Sequence, residues 1–172
     1  MQFNYIKYTE TELEIVRELF VEYSHELGID LCFQNFEQEL QLLHQVYSPP
    51  TGCIILLYHE NTPAGCVALK PIAEGVCEMK RLYVKPQFRS HSYGKKLVKE
   101  LIRFAFEAGF QTMKLDTLTT LTSAIQLYRS LGFVETSAYV YNPLSNVLYF
   151  ELNLKDYFQS KPNELSIRQH TT

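Results

Sequence analysis

The segment VCEMKRLYVKPQFRSHSYGKK, residues 76–96, concentrates the residue types that could do chemistry: a strand-like run, a polar loop and a helix start. Backbone N–H groups at a helix amino end attract anions, and the helix dipole adds to them. Residues 76–97 therefore resemble a phosphate-binding arrangement, with Arg89, Ser90, His91, Ser92, Tyr93, Gly94 and Lys95 in its polar loop and helix start. Lys95 and Lys96 fit the solvated first turn of an amphipathic helix equally well. The turn is neither G-x-x-x-x-G-K-[ST] nor G-x-G-x-x-G. In a regular pleat Glu78 shares one strand face with Val76, Lys80, Leu82 and Val84, which places a carboxylate among apolar neighbours. The histidines at 25, 44, 59, 91 and 170 are scattered and form no nucleophile triad or metal set. Cysteines at 32, 53, 66 and 77 contain no C-x-x-C pair and read as reduced thiols serving as buried filler in a cytoplasmic protein.

The surrounding elements follow from periodicity. Phe3 to Thr9 reads as a strand, and Thr9-x-x-Glu12 as a capping box before Leu13, Val16, Leu19, Phe20, Tyr23 and Leu27 at helical spacing, with Gly28 as the stop. A second short helix starts at Asn35, with Phe36, Leu40 and Leu43 on one face, and Pro49-Pro50 ends it. CIILLYH at 53–59, the turn Glu60-Asn61-Thr62-Pro63 and the run 64–69 make a hairpin. Leu97, Val98, Leu101, Ile102, Ala105 and Phe106 line one face of a third helix, opposed by Lys95, Lys99, Arg103 and Glu107. Residues 111–117 predict a strand, 123–130 a fourth helix stopped by Gly132, and FVETSAYVY then NVLYFELNL the last two strands. The expectation is an α/β (α+β) fold: a mixed, mostly antiparallel sheet of about seven strands with four helices on both faces. It occupies 1–154, and residues 155–172, polar and weakly periodic, are expected to be a loosely ordered tail.

VKPQFRSHSYGKKL resembles the acetyl-CoA-binding signature of the GNAT superfamily of N-acetyltransferases. The family's R-x-x-G-x-G/A falls on Arg89-x-x-Ser92-x-Gly94, with serine in place of the middle glycine and Ser90 in place of the glycine that often follows the arginine. LDTLTTLTSAIQLYRSLGF resembles a second family block ending A-x-x-L-Y-x-x-x-G-F, matched by Ala124, Leu127, Tyr128, Gly132 and Phe133, while Leu121 stands where Asn is common. DLCFQNFEQEL, the PPTG turn and AYVYNP extend the likeness over most of the chain.

The resemblance implies a strand around Glu78 that splays at a bulge to admit pantetheine, making Glu78 the candidate base through water; a rim carboxylate paired with Lys80 or Arg81 is the other reading. It implies Tyr128 as general acid to the departing sulfur, against an aromatic that simply packs, with Tyr128 and Ala124 on one helix face and Ile125 elsewhere. The backbone near Leu82, with Tyr83 and Val84, is the implied carbonyl-oxygen donor and pantetheine edge. Arg89 reads as a phosphate or loop-positioning residue, and Phe33, Tyr139 and Tyr141 fall where the superfamily shapes the acceptor pocket, with core packing as the alternative for each. A Cβ at 90 or 92 excludes most positive-φ conformations and limits backbone approach to pyrophosphate, although each hydroxyl can donate instead.

Composition bounds the partners. Of 172 residues, 46% are hydrophobic, enough to bury a core, so disorder is excluded as the main state. Sixteen Lys plus Arg against 19 Asp plus Glu give a net charge of −3, without the basic excess that nucleic acid demands. No apolar run reaches the ~18 residues of a membrane span. The expected function is acetyl transfer from acetyl-CoA, the cosubstrate, to a primary amine of a small molecule or peptide by direct attack in a ternary complex. The alternative is an acyl-CoA-binding regulatory module without catalysis, suggested by Ser90, Ser92 and Leu121; an adaptor using exposed aromatics is a third reading. A homodimer is compatible with the resemblance, and no metal is expected.

Overall fold

Thr9 and Glu12 close the capping box: the Glu12 N–H donates to Thr9 Oγ1 at 3.4 Å and the Thr9 N–H to Glu12 Oε2 at 3.2 Å. This box starts helix α1, Glu10–Leu27, and Gly28 ends it at φ +64°. A computed structural model describes residues 1–29 and 35–164. Ahead of α1 runs strand β1, Gln2–Tyr5; after it come α2, Phe36–Gln41, and α3, Leu43–Val46. The expected single second helix breaks at Leu42, whose φ of −113° leaves the helical region. The break lets Leu43 and Tyr47, both almost fully buried, enter the same core as Val16, Leu19 and Phe20 of α1.

Strands β2, Cys53–His59, and β3, Thr62–Ala73, form the expected hairpin, with Glu60 and Asn61 both at positive φ, as a two-residue turn of matching twist requires. Strand β4, Val76–Val84, leads through a 3₁₀ turn at Pro86–His91 into α4, Tyr93–Glu107, and strand β5, Thr112–Leu118. Because a helix intervenes, β5 lies parallel to β4, pairing Val76 with Thr112 and Glu78 with Lys114. Helix α5, Thr122–Leu131, then precedes β6, Val134–Thr136, and β7, Val147–Asn153. The sheet has seven strands in the order β1-β2-β3-β4-β5-β7-β6, antiparallel at β1/β2, β2/β3, β5/β7 and β6/β7.

Two differences from expectation bear on the site. β6 stops at Thr136, so residues 137–146 form a loop rather than a strand. Residues 154–160 are not part of a loose tail: Asn153 caps helix α6, Leu154–Ser160, accepting from the Asp156 N–H at 3.0 Å, and Leu154, Tyr157 and Phe158 are buried. The chain divides into two compact units, Met1–Pro71 with Met79–Leu101 and Ile72–Glu78 with Ile102–Thr172. It passes from one to the other within β3, within β4 and within α4. Among the described residues no helix is long and apolar enough to cross a membrane.

Candidate active site

In the first unit β4 leaves the regular pleat at Arg81, whose φ is +57°. A left-handed non-glycine residue inside a strand is strained and needs surroundings that hold it. They are present: Arg81 is 4% exposed, its Nε donates to Glu39 Oε1 at 2.9 Å and its guanidinium also to Glu39 Oε2. The ring of Phe36 lies 5.1 Å from the guanidinium and Tyr47 donates to Glu39 Oε1 at 2.5 Å. Burial pushes the Glu39 carboxyl up, but the hydrogen bonds and charge of Arg81 outweigh it and leave it below its ordinary value. The left-handed turn means that 76, 78, 80, 82 and 84 do not share one face, correcting the regular-pleat expectation. It also assigns Arg81 to Glu39 instead of Glu78.

Beyond the bulge, Leu82 is half-buried, while Tyr83 and Val84 are buried. The Tyr83 side chain belongs to the core and its hydroxyl donates to Glu22 at 3.3 Å. Gly65 permits the close approach of β3 here, since a Cβ on it would stand 2.4 Å from the Tyr83 carbonyl oxygen. Arg89 Nε donates to the Val84 carbonyl at 2.9 Å and its guanidinium to both Glu26 oxygens at 2.6 Å. It positions the loop.

Ser92, the residue in the family's glycine place, adopts φ +57° without being glycine. The backbone turn expected to be disfavoured there is made all the same, and Ser90 lies in the 3₁₀ turn just before it. Helix α4 opens at Tyr93, with the Lys96 N–H donating to the Ser92 carbonyl at 3.2 Å. The first N–H groups of a helix have no acceptor in that helix. A helix normally recruits acids to this pole. The first turn of α4 has none and carries exposed Lys95 and Lys96 beside Gly94. In charge and donor chemistry the turn suits an anion such as phosphate. Tyr93 is buried, its hydroxyl 2.5 Å from His59 Nδ1, and His91 stacks on its ring at 5.0 Å.

In the second unit Glu78 is 2% exposed and accepts a hydrogen bond from the Tyr139 hydroxyl at 2.9 Å. Tyr139 sits on the 137–146 loop, with the Lys114 ammonium 5.3 Å from its ring centre and Tyr149 edge-on at 5.6 Å. Burial, then the Glu78 and Asp116 carboxylates, hold the Tyr139 phenol far above its ordinary value. Asn142 Nδ2 donates to Asp116 Oδ2 at 3.1 Å. Tyr141 on the same loop is 86% exposed. Tyr128 is 6% exposed and packs against Phe133 and Phe150 at 5.8 and 6.2 Å between ring centres. It shares the buried face of α5 with Ile125 and Leu131, the three-residue spacing of one helix face, which corrects the expectation that Ile125 packs elsewhere. Phe33 lies outside the described residues.

The sequence profile of the acetyltransferase (GNAT) family matches residues 13–133, which includes β4, the loop, α4, β5 and α5. The chain belongs to the acetyltransferase (GNAT) family. An uncharacterized N-acetyltransferase of Schizosaccharomyces pombe is 43% identical over 145 residues, spanning 83% of this chain and 89% of its own. A GNAT-family acetyltransferase of Staphylococcus aureus shares the fold with a TM-score of 0.73 at 22% identity, over 89% of this chain and 99% of that one. So does a structure from Salmonella typhimurium described with its cofactor acetyl-CoA, at a TM-score of 0.67 and 16% identity over 90% and 94% of the two chains. Within this GNAT chain the sequence missed two residues. Arg81 carried no signal of its left-handed backbone, and Glu39 lies 42 positions from it.

Proposed function

We propose that this GNAT chain transfers acetyl from acetyl-CoA to a primary amine of a small molecule or peptide, by direct attack while donor and acceptor are bound together. The observation that carries the reading is strand β4 with its continuation. In 19 residues, 78–96, it places a buried carboxylate, a left-handed turn pinned by an ion pair, and a helix start bearing two lysines and no acid.

Acetyl-CoA supplies an acetyl group activated as a thioester, so the C–N bond of the product forms as the C–S bond breaks and sulfur keeps the electron pair. The chain's residues manage protons and charge around that exchange. The loop amides from Ser90 to Lys95 and the lysine side chains hold phosphate. The Leu82 N–H, which follows the turn at Arg81, donates to the carbonyl oxygen as its charge grows. Glu78 takes the proton lost by the amine nitrogen, through water. The Tyr128 hydroxyl donates to the departing sulfur. Tyr141 faces the acceptor. Free thiols at Cys53, Cys66 and Cys77 suit the reducing cytoplasm as the place of reaction.

Initial-velocity kinetics with putrescine, phenethylamine and alanylphenylalanine as acceptors test the reading. Direct attack gives intersecting double-reciprocal lines when acetyl-CoA and amine are varied together. Parallel lines would show an acyl-enzyme and overturn it. Binding of acetyl-CoA with no thiol release for any amine would favour the regulatory module.

A further inference from the structure

Glu78 is a carboxylate that bulk solvent does not orient, because only 2% of the residue is exposed. Its geometry must therefore come from groups of the chain. One of them is the Tyr139 hydroxyl, 61 positions away in sequence and 2.9 Å away in space. We infer that Tyr139 is a positioning residue of Glu78: its phenol holds the carboxylate in the orientation that receives the acceptor's proton. The inference rests on Glu78 being the base.

Three observations make Tyr139 a suitable holder. Its loop is fastened on both sides of the Asn142 amide, which donates to Asp116 at 3.1 Å and accepts from the Leu144 N–H at 3.1 Å. The ring is fixed independently of the hydroxyl, by the edge of Tyr149 and the ammonium of Lys114, itself paired with Glu151 at 3.2 Å. Burial and the carboxylates of Glu78 and Asp116 keep the phenol protonated, so it remains a donor wherever the enzyme works. A phenol has one hydrogen, and Tyr139 commits it to Glu78. That separates Tyr139 from Tyr141, whose 86% exposure leaves it to the acceptor. A hydrogen bond to a charged group is among the stronger ones, and its loss disperses the carboxylate over several orientations of which few are productive.

A double-mutant cycle tests this with the wild type, Tyr139→Phe, Glu78→Gln and the double variant, using the fastest amine of the three above and following kcat, both KM values and Tm. Tyr139→Phe is expected to lower kcat about tenfold or more in the wild-type background, with both KM values nearly unchanged and Tm lowered by a few degrees for the lost bond. In the Glu78→Gln background the same change is expected to cost less than about twofold, because a residue acting through Glu78 has nothing left to position. Asn142→Ala, which keeps the phenol but loosens its loop, should reproduce the pattern more weakly. Equal losses in both backgrounds, an unchanged kcat, or a raised amine KM with kcat retained would each overturn the inference while leaving Glu78 as base. If Glu78→Gln alone turns over like the wild type, the base reading fails and the inference goes with it. No thiol release with any amine overturns both.

Discussion

At the residue scale the chemistry divides between groups that touch the reacting atoms and groups that hold them. Tyr128→Phe removes one oxygen from a ring already packed against Phe133 and Phe150, so the fold should stay intact while kcat falls. A Tm drop with kcat unchanged would make Tyr128 a packing residue. Ser92 gives a second test. A left-handed L-residue costs roughly 1–2 kcal/mol, whereas a new glycine gives back about 0.4–1 kcal/mol through the freer unfolded chain. Ser92→Gly should therefore be neutral to modestly stabilising by urea titration, with acetyl-CoA affinity by calorimetry held or improved. A marked loss of affinity would show that the Ser92 hydroxyl is a ligand. Arg89 was legible from its motif, but its partners Glu26 and Val84 were not, because a short motif fixes a residue's neighbourhood in the chain and not the helix that folds against it.

At the element scale the capping box of α1, the β2/β3 hairpin and the amphipathic α4 were readable because each is decided by residues within one turn or one pleat of each other. The bulge of β4 was not. Arginine carries no left-handed preference, and what holds Arg81 is a buried ion pair with Glu39 on α2. Helix α6 was missed because Leu154, Tyr157 and Phe158 make one short apolar face at the start of a polar stretch. The Arg81–Glu39 pair makes two predictions. Glu39→Gln leaves a buried guanidinium without its counter-charge and should cost about 3–5 kcal/mol of stability by urea unfolding. The Glu39→Leu, Arg81→Met double variant should recover much of that stability yet lower kcat, since nothing then pins the turn ahead of the Leu82 N–H. The pH dependence has a definite sign. The folded pKa of Glu39 is depressed, so its contribution is complete above the unfolded carboxylate value near ~4.3 and is lost as pH falls through the folded value. The stability gap between wild type and Glu39→Gln should close in acid.

At the scale of the whole molecule, burial raises thiols and phenols alike: it pushes the Cys77 thiol up to about 12 and holds the Cys66 thiol far above its ordinary value. Burial, assisted by Cys53 for Tyr8 and by Glu22 and Glu26 for Tyr83, pushes both phenols up to about 12. The folded chain therefore holds thiol protons that the unfolded chain releases near ~8.5 and phenol protons that it releases near ~10. Stability should be full below ~8.5 and fall as pH rises from there toward ~12, which urea titrations at pH 7, 9 and 11 would register. The order of the strands, the seven-stranded sheet and the loop-to-helix turn were legible, because they rest on periodicity and on a contiguous motif. The Tyr139–Glu78 contact was not, because it joins β4 to a loop formed only where β6 stops short. Amine acetylation with Glu78 as base is tested most directly by amine-dependent release of free thiol from acetyl-CoA by the wild type and by Glu78→Gln. Release should require an amine and be slowed by roughly 10²–10⁴-fold in Glu78→Gln with acetyl-CoA affinity preserved. Equal release by the two proteins, or tight binding of acetyl-CoA with no release for any amine, would contradict it.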